Sequence, residues 1–169
     1  MKTIWNNLQG VAFQQCFYDA AGVRTRVIES GSSEKVLIFL HGTGGHAEAY
    51  LKNIASHSEH FRVMAVDMVG HGYTSAPDIS YDMQCYVEFL LDFLDGIGVE
   101  KAYISGESLG ATVAAWFAIA HPDRVEKIVM NTGMLLPPDE DGATGLRELL
   151  ERSRKAVGAP SRETVRQRM

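Results

Sequence analysis

The chain has 169 residues, 46% of them apolar and 22% charged, the composition of a globular protein with a core rather than a disordered one. Its net charge is −5 and its first 140 residues hold no concentrated Lys/Arg run, so there is no basic footprint for a phosphate backbone and nucleic acid is excluded as a partner.

The N-terminus carries Lys2 but no continuous apolar stretch behind it, so it does not read as a signal peptide and a cytoplasmic location is expected. The most apolar run, residues 111–120, is about half of the ~20 residues needed to cross a bilayer and reads as a buried helix, so no membrane association is expected. Cys16 and Cys85 show neither metal-ligand spacing nor a disulfide framework and are read as free thiols.

Residues 13–17 and 23–28 are β-rich and flank Asp19-Ala20-Ala21-Gly22, which predicts an opening hairpin. Residues 36–40 are an unbroken apolar run, as in a strand buried on both faces of a mostly parallel sheet, and they end at His41-Gly42-Thr43-Gly44-Gly45. A short helix is expected around 48–56, a strand at 61–67, and then a glycine- and proline-punctuated loop at 68–77. Helical spacing of Tyr86, Leu90, Phe93, Leu94 and Ile97 marks a helix within 81–97, stopped by Gly96 and Gly98.

Residues 101–105 make another buried strand, 106–110 a sharp turn, and 111–120 a helix stopped by His121-Pro122. That helix is apolar nearly all round, so it is expected to be covered on most sides. A strand at 125–130 reaches Asn131-Thr132-Gly133. Alternating strands and helices give a doubly wound, mostly parallel α/β sheet.

From Met134 the character changes to a polar, proline-containing link and two helical stretches. Leu146, Leu149, Leu150, Ser153 and Val157 share one face of the first, which ends at Gly158 and Pro160, and Ser161 is read as the N-cap of the second. The arginines and Lys155 of this segment are read as a solvated face. The division is therefore 1–133 for the sheet-bearing part and 134–169 for a helical segment.

Gly-Glu-Ser-Leu-Gly at 106–110 fits G-x-S-x-G, in which a serine sits on a strained strand-to-helix turn, and here it follows a buried strand and opens a buried helix. A serine hydroxyl is a weak nucleophile unless a base takes its proton and the resulting oxyanion is stabilised. The backbone N–H groups of Thr43 and of Leu109, the residue after Ser108, are the candidate oxyanion hole, with Gly42 and Gly44 lining the substrate pocket.

With these marks the chain resembles the α/β-hydrolase superfamily from about Val11 onward. The marks are His-Gly-x-Gly at 41–44, Asp67 with Gly70-His71-Gly72 and Ser75, the elbow at 106–110, and His-Pro-Asp-Arg-Val at 121–125. The resemblance implies that Asp67 and His71 shape a loop rather than act in a triad, and that the order is serine, acid, histidine. Of the six histidines, five precede the elbow, and His121 lies at the far end of the helix that Ser108 begins, roughly 20 Å away. Asn131 and Thr132 supply no carboxylate where a minority of relatives carry the acid. Both partners are expected beyond Met169, the segment after Met134 resembles the beginning of a helical cap, and the 169-residue chain alone is expected to hydrolyse poorly.

Among capped relatives the chain resembles the meta-cleavage-product hydrolases, which split a carbon–carbon bond in ring-opened aromatic degradation products. The likeness rests on residues 41–46, the elbow, and Glu-Thr-Val-Arg at 163–166, and the departures are Gly45, where that family has proline, and the lack of an asparagine near Ala49. A general carboxylesterase or lactonase is the nearest alternative, and a non-catalytic ligand-binding or inactive protein on the same fold is an alternative of another class. A small-molecule substrate is expected, with a homo-oligomer left open. No metal cluster, P-loop or G-x-G-x-x-G is present in the sequence pattern, so no cofactor is expected.

Overall fold

The computed structural model describes residues 3–133. Among these, six strands form one mixed sheet in the order β1-β2-β4-β3-β5-β6. The strands are β1 (Phe13–Ala20), β2 (Val23–Ser30), β3 (Val36–Leu40), β4 (Arg62–Val66), β5 (Ala102–Glu107) and β6 (Val125–Asn131). The helices are α1 (Leu51–His57), α2 (Met83–Gly96) and α3 (Leu109–Ala120), with 3₁₀ turns at Ile4–Leu8, Ala47–Tyr50 and Pro122–Arg124. The helical pieces expected after Met134 and the division at 133/134 lie outside the described residues.

β1 and β2 form the predicted hairpin, with Ala20 opposite Val23. Ala21 and Gly22 connect them, both at positive φ (48° and 90°), as a two-residue turn matching the strand twist requires. β2 runs antiparallel to β4, whereas β4, β3, β5 and β6 are mutually parallel, with crossovers leading from β3 to β4, from β4 to β5 and from β5 to β6. The α/β class expected from the alternation of elements is the observed one.

All five residues of β3 are buried because both faces of the sheet are covered at its centre. On one face Ile38, Leu40, Met64, Val66 and Ile104 pack against α2 and α3 through Leu90, Phe93, Val113 and Phe117. On the other, Leu37, Phe39, Val63, Ala65 and Ile28 pack against Leu8, Leu51 and Ile54. The parallel strands therefore point their carboxyl ends the same way, toward the loops at 41–50, 67–81 and 107–109.

The structure corrects several boundaries. α2 starts at Met83, where the Asp82 carboxylate accepts the Cys85 N–H at 2.9 Å, because an N-cap satisfies an otherwise orphaned donor. α3 starts at Leu109, directly after the serine. As expected, α3 is covered on most sides, through Ala111, Val113, Ala114, Ala115 and Phe117, with exposure confined to its last residues, where Ile119 is 73% exposed. No helix among the described residues is long and apolar enough to cross a membrane.

Candidate active site

Ser108 joins β5 to α3 with φ 50° and ψ −109°, a conformation that costs a side-chain-bearing residue free energy and needs external support. That support is on both sides. The Ser108 N–H donates to the Asn131 carbonyl at 2.8 Å, and the Gly110 N–H donates to the His41 carbonyl at 3.1 Å. A Cβ at 106 would overlap the backbone of Gly110, and one at 110 would overlap the carbonyl of Leu40. The two glycines of the motif therefore let α3 begin directly against the ends of β5 and β3.

The loop after β3 reaches the serine. A Cβ at Gly42 would stand 3.2 Å from the Ser108 Cβ and would overlap the Glu107 carboxylate. The Gly45 N–H donates to the Gly42 carbonyl at 2.9 Å, closing a turn with Thr43 and Gly44 exposed at its tip. Leu109 is the first residue of α3, and the first N–H groups of a helix have no intrahelical partner. The segments 42–43 and 108–109 are thus brought together, while a Cβ at Gly44 would meet open space and that residue is not packed against the serine.

His41 is buried and holds this loop. Its Nε2 accepts the Met68 N–H at 3.1 Å, which assigns the proton to Nδ1, and Nδ1 then donates to the Gly42 carbonyl at 2.8 Å. Burial pushes the imidazole below its usual range, and neighbouring His71, with ring centroids 4.9 Å apart, adds to the effect. A neutral ring bridges the loops after β3 and β4.

Asp67 has no free oxygen to serve a triad. Its Oδ1 accepts the Ala47 N–H at 2.6 Å, its Oδ2 the Tyr73 N–H at 2.9 Å, and Arg26 approaches at 3.2 Å. It ties the loop after β3 to the loop after β4, which is the shaping role expected for it. Arg26, which reading the sequence did not single out, is buried in β2 and donates to Glu48 at 2.6 and 2.8 Å and to Gln15 at 2.7 Å. Burial alone would raise the Glu48 carboxyl, but the Arg26 guanidinium holds it down at about 2.

Among the described residues no histidine is hydrogen-bonded to Ser108. His121 caps the far end of α3, and His46 Nδ1 is 2.7 Å from Glu48 Oε2. Glu107, unremarked within the motif, lies beside both Gly42 and Thr132. Thr132 has φ 56°, rare for a β-branched residue, and its hydroxyl sits 2.7 Å from the Asn131 carbonyl and 3.3 Å from Glu107 Oε1.

Residues 35–162 match the family described as the alpha/beta hydrolase fold. The chain belongs to this family. Among α/β hydrolases it is 32% identical over 136 residues to a 2-hydroxy-6-oxo-6-(2'-aminophenyl)hexa-2,4-dienoic acid hydrolase of Metapseudomonas resinovorans, covering 77% of this chain and 47% of that protein. It is 34% identical over 109 residues to carboxylesterase YbfK of Bacillus subtilis (strain 168), covering 63% of this chain and 37% of that protein. The crystal structure of a serine hydrolase involved in carbazole degradation superposes with TM-score 0.68 at 30% identity, over 82% of this chain and 57% of the other. The chain thus spans about half or less of the length of these α/β hydrolases.

Proposed function

We propose that this chain carries the nucleophile and oxyanion hole of a serine hydrolase acting on a small carbonyl substrate. The observation that carries the reading is Ser108 on a strained strand-to-helix turn with the Gly42 loop packed against it. A scaffold that only binds has no physical reason to hold that strain. In this reading Ser108 Oγ attacks the carbonyl, the Thr43 and Leu109 N–H groups receive the developing oxyanion, and the reaction proceeds through an acyl-enzyme or a gem-diol. The base and its acidic partner come from outside residues 3–133.

Carbon–carbon bond hydrolysis of a ring-opened aromatic degradation product is the first substrate class, supported by the relative from Metapseudomonas resinovorans and by the likeness to the carbazole-degradation hydrolase. Ester hydrolysis is the second, supported by the YbfK relative. The protein expressed from its complete coding sequence tests both, with an activated ester and a ring-opened dienoate as substrates. Turnover that disappears in Ser108→Ala supports the reading, and the faster substrate selects its class. Turnover that survives Ser108→Ala overturns it.

A further inference from the structure

We propose that Glu107 is a specificity-determining residue, which turns this site away from carboxylate-bearing substrates and toward neutral carbonyl compounds, esters foremost. The inference rests on the serine-hydrolase reading and deepens it by choosing between its two substrate classes: ring-opened dienoates carry a free carboxylate, so a site that repels one favours the esters over them. Its starting point is position. Glu107 immediately precedes the nucleophile, and its carboxylate and the Ser108 Cβ both face the same point beside the Gly42 Cα. The Thr132 hydroxyl, 2.7 Å from the Asn131 carbonyl at the end of β6, lies alongside the same carboxylate, 3.3 Å from Glu107 Oε1.

The charge inventory around that point is one-sided. The described segments that meet at the serine, residues 41–45, 107–109 and 131–133, contain no lysine or arginine. Their one histidine, His41, is buried with both ring nitrogens in use, and burial holds it in the neutral form. Arg26 adds no free positive charge, because two carboxylates, Glu48 and Asp67, already surround its guanidinium. The field of Glu107 reaches its neighbours: burial, and then this carboxylate, push the Tyr50 hydroxyl above its usual range. Tyr50 in turn donates to the Leu40 carbonyl at 2.7 Å, just before the loop that meets the serine.

A substrate carbonyl placed between Ser108 and the Gly42 loop therefore sits beside a negative charge that these described segments do not compensate. A neutral acyl chain is indifferent to it, whereas a free carboxylate on the substrate is repelled. Because Glu107 is exposed, solvent and salt screen the effect, and about a fivefold discrimination is expected at low ionic strength.

The test compares 4-nitrophenyl butyrate with 4-nitrophenyl hemisuccinate, which share a leaving group and differ in the terminal carboxylate, on the protein expressed from its complete coding sequence. Glu107→Gln removes the charge and keeps an acceptor for Thr132. The expected result is that the ratio of kcat/KM for hemisuccinate to that for butyrate rises about fivefold in Glu107→Gln at low salt. In the unsubstituted enzyme the same ratio climbs as salt is added, a readout that does not depend on how well the variant folds. A ratio that is insensitive both to the substitution and to salt overturns the proposal. Absence of Ser108-dependent turnover of either ester, where a ring-opened dienoate is still turned over, overturns this inference alone, and absence of turnover with all three substrates overturns the hydrolase reading with it.

Discussion

The Met68 N–H donates to His41 Nε2 at 3.1 Å, and this bond directs the other ring nitrogen onto the Gly42 carbonyl. One imidazole thereby aligns the peptide that leads into the Thr43 N–H. His41→Phe keeps an aromatic ring in the space but removes both bonds. On an activated ester it is expected to lower kcat about a hundredfold with KM changed far less, because oxyanion stabilisation acts in the transition state. Steady-state kinetics that separate the two constants check this, and an equal rise in KM would show that the histidine serves binding instead.

Arg26 couples β2 to both loops that flank the site, through Glu48 and Asp67. Arg26→Met leaves the buried Asp67 and the part-buried Glu48 without the guanidinium they share, which is expected to cost about 3 kcal/mol. Urea unfolding followed by circular dichroism measures it. Combining Arg26→Met with Glu48→Gln should recover part of the loss, since one of the stranded charges is then gone.

Acidification should destabilise the fold in two steps. The unfolded His41 imidazole takes a proton near 6.5, while burial resists it in the folded chain, so this contribution is complete at higher pH and declines as pH falls through 6.5. Glu48, held at about 2 against an ordinary 4.5, contributes fully above 4.5 and loses its contribution as pH falls toward 2. Glu29 is also held low: burial opposes this, but Arg62 and Tyr18 hydrogen bonds prevail, and it adds to the lower step. Urea midpoints taken between pH 8 and 3 should descend in these two stages, with the lower one reduced in Glu48→Gln.

The strained serine offers a separation of stability from chemistry. Ser108→Gly relieves the positive φ and is expected to stabilise the chain by about 1 kcal/mol, whereas Ser108→Ala keeps the Cβ and gains nothing from that source. Thermal unfolding of the two variants side by side distinguishes them. Equal midpoints would mean that the strain is relieved elsewhere.

Ile119 and Val129 are 73% and 61% exposed, large apolar side chains on α3 and on β6, which pairs only with β5 among the described strands. The 169-residue chain is expected to self-associate through the open edge of β6 and through these two exposed side chains. Sedimentation velocity should show a concentration-dependent shift that diminishes in Ile119→Lys/Val129→Lys. A monodisperse monomer for the unsubstituted chain would contradict the expectation.

The parts of this molecule that were legible in its sequence are those whose signal is local. β3 is an apolar run, β5 leads with Ala102, Tyr103 and Ile104 into the glycine-serine-glycine turn, and α3 follows that turn, so neighbouring residues alone suffice to place them. Arg26 was not legible. It alternates with Arg24 in β2, where charged residues ordinarily face water, and its partners are Glu48 and Asp67, far along the chain. Glu107 stood in plain view as a variable position of the motif, but its significance depends on Gly42 and Thr132, which only the folded sheet brings alongside. The covering expected for α3 on most sides is present, and the exposure of Ile119 was not legible because an apolar composition all round a helix does not say which residue is left uncovered.

The bond from the Ser108 N–H to the Asn131 carbonyl also sets a timetable. The serine's backbone is held from both flanks, by His41 emerging long before it and by Asn131 emerging after the whole of α3 and the turn at Pro122–Arg124. On the ribosome, a chain that has been extruded only as far as α3 owns the serine and the glycine loop but lacks the acceptor that clamps the bend. The bend at the serine is therefore fixed only by the arrival of β6, so that a half-made chain carries the residue without yet carrying its clamp.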